Sequence, residues 1–89
     1  MKIKKGFVMR KMGDKTVVVA TGDASAEFHG MIELNQTAAD IWNWVAEGLD
    51  QNAVASNLAQ KYNLESVKAK ADTDKIINQM KQTGVFENE

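Results

Sequence analysis

His29 is the single histidine of the chain, and there is no cysteine. A zinc site or a histidine-activated nucleophile needs further side chains of those types, so His29 reads as a strand residue rather than a ligand or base. Asp72 and Asp74 stand two apart in a helical stretch. At that spacing they point to different faces, which rules out a shared metal or paired acid-base work and leaves two solvated charges. Gly6, Gly13, Gly22, Gly30, Gly48 and Gly84 are scattered rather than clustered, so no glycine-rich loop cradles a phosphate. The catalytic constellation, metal set and cofactor motif that an enzyme would require are missing, so the chain does not read as an enzyme.

The chemistry left is that of surfaces. Six of the eleven basic residues fall in the first fifteen positions, and neither Lys nor Arg occurs between Thr16 and Gln60, where Asp23, Glu27, Glu33, Asp40, Glu47 and Asp50 lie. This split fits a charged partner as well as a plain mixed surface. Phe7, Phe28, Trp42, Tyr62 and Phe86 fall on inward stripes and read as core, whereas Trp44 stands aside as a candidate partner contact. An 89-residue chain without proline makes one domain, 1–89, with one core and shallow grooves. The basic MKIKK start is followed by a stretch broken by Arg10 and Lys11, and no apolar run is long enough for export or spanning. Together with the lack of cysteine this points to a cytoplasmic protein that does not enter a membrane.

The elements that hold these residues follow from period and punctuation. Phe7 to Met12 and Lys15 to Ala20 predict two strands joined by a tight Gly13-Asp14 turn. A loop from Thr21 to Ala26 leads to a third strand, Phe28 to Leu34, with Phe28, Gly30, Ile32 and Leu34 on one face and His29, Met31 and Glu33 on the other. Asn35 suits the N-cap of a first helix, with Thr37 as a competing cap; Ala38, Ile41, Trp42, Val45 and Leu49 form its stripe and Gly48 ends it. Asp50 caps a second helix that buries Val54, Ala55, Leu58 and Tyr62 and stops at Asn63, with Leu64 folding back. Ser66 caps a third, with Ala69, Thr73, Ile76 and Met80 inward, closed by Gly84 before Val85 and Phe86 return to the core. The predicted fold is α+β: a three-stranded antiparallel sheet followed by three helices that cover one face.

That order, with Asn63-Leu64-Glu65 between the last two helices and a hairpin that can serve as a wing, has the outline of a winged helix-turn-helix DNA-binding protein. Its charge does not suit DNA. From Glu65 to Thr83 there are four lysines against three acids, and no arginine. A recognition helix needs a clear basic excess and bidentate base readers.

Leu34-Asn35, Thr37-Ala38 and Ile41-Trp42, then a short helix ending at Tyr62, then Asp72 followed by Ile76, Met80, Gly84 and Val85, resemble the PqqD family. These are the peptide-binding proteins of pyrroloquinoline quinone (PQQ) biosynthesis and their relatives, also called RiPP recognition elements. The likeness runs from about Phe7 to Phe86; Thr73 and Met80 replace the larger aliphatic residues expected of the family. The resemblance implies a winged helix-turn-helix-like fold and a non-catalytic adaptor, or peptide chaperone. Such an adaptor captures the leader of a ribosomally made precursor peptide and presents it to a modifying enzyme, often a radical SAM enzyme. The ligand would add as a strand to the edge of the third strand, beside the third helix.

On this reading Met31, Ile32 and Glu33 supply the strand edge. On the third helix, one flank of the buried stripe carries Lys70, Asp74, Ile77 and Lys81, and the other carries Lys68, Asp72, Lys75 and Gln79. Only the first contains a large apolar residue. An exposed Ile77 framed by lysines is therefore the expected groove wall, suited to a peptide that alternates apolar and acidic residues. The partners implied are the precursor peptide and its enzyme, not nucleic acid, and the protein is a monomer or a dimer paired through an exposed strand.

Overall fold

The computed structural model describes residues 1–22 and 31–87. Its strands are β1 (Phe7–Met12), β2 (Lys15–Ala20) and β3 (Met31–Leu34), and its helices are α1 (Gln36–Ala46), α2 (Gln51–Tyr62) and α3 (Ser66–Thr83). The sheet is antiparallel in the order β1-β2-β3. The predicted fold class is the one observed. The first residues of the expected third strand, Phe28, His29 and Gly30, lie outside the described residues, as does most of the expected loop before them.

Met12 pairs with Lys15, which leaves Gly13-Asp14 as a two-residue turn, and Gly13 takes φ +67°, where a Cβ would be strained. Register then fixes the faces. Met9, Val18 and Ile32 form one row across the sheet and Thr16 pairs with Leu34 beside them. These side chains look toward the helices, and Val18 is fully buried. Met31 and Glu33 point away and are exposed, as the alternation requires.

Asn35 wins the cap of α1: its Oδ1 accepts from the Ala38 amide at 2.9 Å. Asp50 does the same for α2, accepting from Ala53 N at 2.8 Å. Asn63 ends α2 in the left-handed conformation, φ 53° and ψ 51°, and Leu64 N–H turns back to Ala59 O at 3.0 Å. Gly84 closes α3 with φ 84°. The start of α3 differs from expectation. Glu65 holds the cap position without a side-chain bond, and Ser66 is already the first helical residue.

Ile41, Trp42 and Val45 of α1, Val54 and Leu58 of α2 and Ala69, Ile77 and Met80 of α3 meet Val18 and Val85 in one core. Each fully buried aliphatic side chain there contributes about 1.5–3 kcal/mol. Phe7 stands edge-on to Trp42, with ring centroids 6.3 Å apart at 68°, and so joins β1 to α1. Trp44, the candidate partner contact, is half-buried against the same core. The chain ends meet: Lys4 N donates to Val85 O at 2.8 Å, Glu87 N to Lys2 O at 2.7 Å, and Ile3 bridges Phe86.

Asp40 departs from the surface role that its place in the acidic middle suggests. It is only 7% exposed. It accepts from the Tyr62 hydroxyl, from Gln36 Nε2 at 3.0 Å and from Lys61 Nζ at 2.9 Å, and so ties α1 to the end of α2. Burial pushes its pKa up, but the three donors and the Lys61 charge outweigh burial and hold it below the ordinary value of 3.8.

Candidate functional site

β3 pairs with β2 alone, so its other edge meets no strand among the described residues. An extended strand left this way offers amides and carbonyls for pairing, and β1 likewise pairs with β2 alone among the described strands. The two edges are not alike. That of β1 carries exposed Arg10 and Lys11, charges that discourage pairing, whereas β3 has Glu33 as its single charge.

Beside β3 runs an open groove of ≈ 380 Å³. Ile32 and Leu34 form its sheet wall and Ala38 and Trp42 its floor, while Ile76, Gln79, Met80, Gln82 and Thr83 of α3 face them. The Asn35 cap sets this geometry. It ends β3 and starts α1 at the same point, so that Ala38 and Trp42 lie directly beneath the strand edge. An apolar floor with a lip of amides and hydroxyls accepts apolar side chains while hydrogen-bonding polar ones at the rim. It holds no acid-base pair. Among the described residues no group of three His, Cys, Asp or Glu side chains could hold a metal ion, and no helix is long and apolar enough to cross a membrane.

Of the residues expected here, the structure brings Ile32 and Glu33 to the groove, and Met31 precedes them on the same edge, 60% exposed. The expected helix flank does not join them. Ile77, read as an exposed wall, is fully buried in the core. Lys70 pairs with Asp74 at 3.4 Å, and Asp74 also accepts from Gln51 Nε2 of α2, so this flank faces the second helix and not the strand. Lys81 is exposed and does not line the groove. The reason is helical phase. The buried arc of α3 runs from half-buried Ile76 through Ala69, Met80 and Thr73 to Ile77, because both the sheet and α2 pack on the helix. The groove side is therefore the opposite flank, where Ile76 and Gln79 line the wall, Lys68 pairs with Asp72 at 3.1 Å, and Lys75 is exposed.

Residues missed in the sequence are Ile76, Gln79, Met80, Gln82 and Thr83 of α3, together with the floor pair Ala38 and Trp42. Ile76, Gln79 and Thr83 follow i, i+3, i+7 spacing, a signal that was legible once the helix was oriented by its contact with the strand.

Two solved structures share this fold. One is TbiB1 in complex with the TbiA(beta) leader peptide, at TM-score 0.78 and 16% identity, covering 100% of this chain and 98% of that one. The other is a lasso peptide synthetase B1 complexed with the leader peptide, at TM-score 0.76 and 20% identity, covering 97% of this chain and 95% of that one. Among curated protein sequences none matches. The model of the family described as coenzyme PQQ synthesis protein D (PqqD) matches residues 15–85, from the second strand to the residue after the Gly84 cap. The chain belongs to the PqqD family.

Proposed function

We propose that this protein is a non-catalytic adaptor that captures the leader of a ribosomally made precursor peptide and presents it to a modifying enzyme. The observation that carries this reading is the edge of β3 that meets no strand among the described residues, alongside an apolar groove. The leader adds as a fourth strand. Its main chain bonds to Met31–Leu34, and every second side chain drops between Ile32 and Leu34 on one side and Ile76 and Met80 on the other. Main-chain bonds give affinity and the groove gives selectivity. Two fold relatives were solved with leader peptides, which supports the same use of the edge here.

The enzyme partner is of the peptide-modifying kind, with a radical SAM enzyme the type that family membership suggests, and the cytoplasm is where such a precursor is made. Met31, Ile32 and Glu33 keep their proposed role at the edge. On α3 the role passes from Ile77, Lys70, Asp74 and Lys81, none of which lines the groove, to Ile76, Gln79 and Thr83, which do. Duplex DNA is the competing ligand. The groove helix offers it neither an arginine nor a net charge above +1 over 65–83.

The test is a binding comparison between leader peptides encoded beside the gene and a duplex of mixed sequence, followed by fluorescence anisotropy. A leader peptide should bind in preference to duplex. Duplex binding with a steep salt dependence and no peptide binding would reverse the assignment.

A further inference from the structure

We infer that Glu33 selects charge in the bound peptide: the ligand residue directly opposite it on the added strand is a lysine or arginine, with apolar residues on either side. The inference rests on the peptide-binding reading above and concerns the face of the added strand that the groove does not touch.

The register of the sheet leads to it. On the face away from the helices, Val8, Val19 and Met31 stand in one row and Arg10, Val17 and Glu33 in the next. Both rows end at the outer edge of β3, which meets no strand among the described residues and where Met31 is 60% exposed and the Glu33 side chain 63% exposed. A fourth strand continues them. Opposite Met31 an apolar residue extends the row. Opposite Glu33 the ligand side chain stands about 4.5–5.5 Å away between Cβ atoms, close enough for an opposite charge to stabilise the pair and for a like charge to oppose it. On the helix side, the ligand positions before and after that residue fall opposite Ile32 and Leu34, which line the groove. The ligand pattern is therefore apolar, cationic, apolar, with the cation pointing out.

One nearby charge works against this preference. Lys15 Nζ lies 3.6 Å from Glu33 Oε1, and a ligand carboxylate could use it. Position decides the contest. Lys15 reaches Glu33 from β2, on the side away from the ligand, so the Glu33 carboxylate stands between the Lys15 ammonium and the added strand and the ligand side chain meets it first. Both side chains are more than half exposed, at 61% for Lys15, so their ion pair is a weak, solvent-screened one that a ligand cation can displace. Glu33 is also the single charged residue of β3.

The experiment is a random peptide display selection on three proteins: wild type, Glu33→Gln and Glu33→Lys, with thermal melts to establish that each folds. Wild type should enrich Lys or Arg at the outward position between two apolar groove residues; Glu33→Gln should lose the bias and Glu33→Lys should turn it to Asp or Glu. Synthetic peptides with Lys or Glu at that position should differ about two- to tenfold in Kd on wild type, with the order reversed on Glu33→Lys. Alternating apolar peptides that enrich with no charge bias, or with one bias on all three proteins, would overturn the inference and leave the adaptor reading standing. If no extended peptide enriches on any of them, the adaptor reading fails and the inference with it.

Discussion

Replacing Asp40 by Asn should cost about 1–2 kcal/mol near neutral pH, with the loss shrinking as the solution is acidified. The carboxylate accepts from the Tyr62 hydroxyl, Gln36 Nε2 and Lys61 Nζ in a site 7% exposed. The Asn variant keeps an oxygen for Gln36 and puts an amide where the carboxylate met the other two donors. The Tyr62 hydroxyl can turn to accept from that amide, and Lys61, its side chain 48% exposed, can return to water. What is lost is the charge component of these bonds. Bonds to a charged group are worth about 1.5–3 kcal/mol against about 0.5–1.5 for neutral ones, which gives the stated range. A carboxyl whose folded pKa lies below its unfolded value contributes stability that is fully present above the unfolded pKa of 3.8 and is lost as pH falls through the lower folded value. Tyr62 behaves in the opposite sense. Its hydrogen bond to Asp40 and its burial raise its pKa, so its contribution is full below 10.0 and is lost as pH rises through the folded value. Urea midpoints of both proteins, measured near neutrality and well below 3.8, test this. Equal midpoints near neutrality, or a gap that persists unchanged in acid, would refute the clamp between α1 and α2.

Trp42→Ala should lose about 3–5 kcal/mol, since it empties a site that packs on Phe7 and floors the groove; an unchanged denaturant midpoint would place Trp42 outside the core. Thr73→Val should gain about 1 kcal/mol, because Thr73 Oγ1 is buried with no hydrogen-bond partner among the described residues; a loss on calorimetry would mean that the hydroxyl is satisfied by water or by the backbone. Ile76→Ser should weaken leader binding severalfold, by about 1–2 kcal/mol of lost apolar contact, while Lys70→Glu with Lys81→Glu should change it little. The reverse ranking would return the peptide to the flank that carries Ile77.

Turns and caps, the Ser66 cap expected for α3 excepted, were legible in the sequence because each depends on one or two residues. Gly13-Asp14, Asn35, Asp50, Asn63 and Gly84 all stand where local chemistry puts them. The faces of β3 were legible for a similar reason, since a period of two leaves no choice once Ile32 and Leu34 point inward. The phase of α3 was not. Ile76 and Ile77 are adjacent and alike, and local pattern cannot say which meets the groove and which meets the core; the packing of α2 decides it. Asp40 was hidden too. Its partner Tyr62 lies 22 residues away, and no spacing rule joins a carboxylate on one helix to a hydroxyl on the next.

The account turns on where the ligand lies, and a backbone amide NMR titration of the protein with leader peptides encoded beside the gene tests that most directly. The expected result is coupled shifts at Met31 to Leu34 and at Ile76, Gln79 and Thr83, the two walls of one groove. A peptide N-methylated at its pairing positions should bind more weakly, because it cannot donate to the strand edge. Shifts confined to the Gly13-Asp14 hairpin or to α2, with the β3 amides unmoved, would contradict strand addition at this edge.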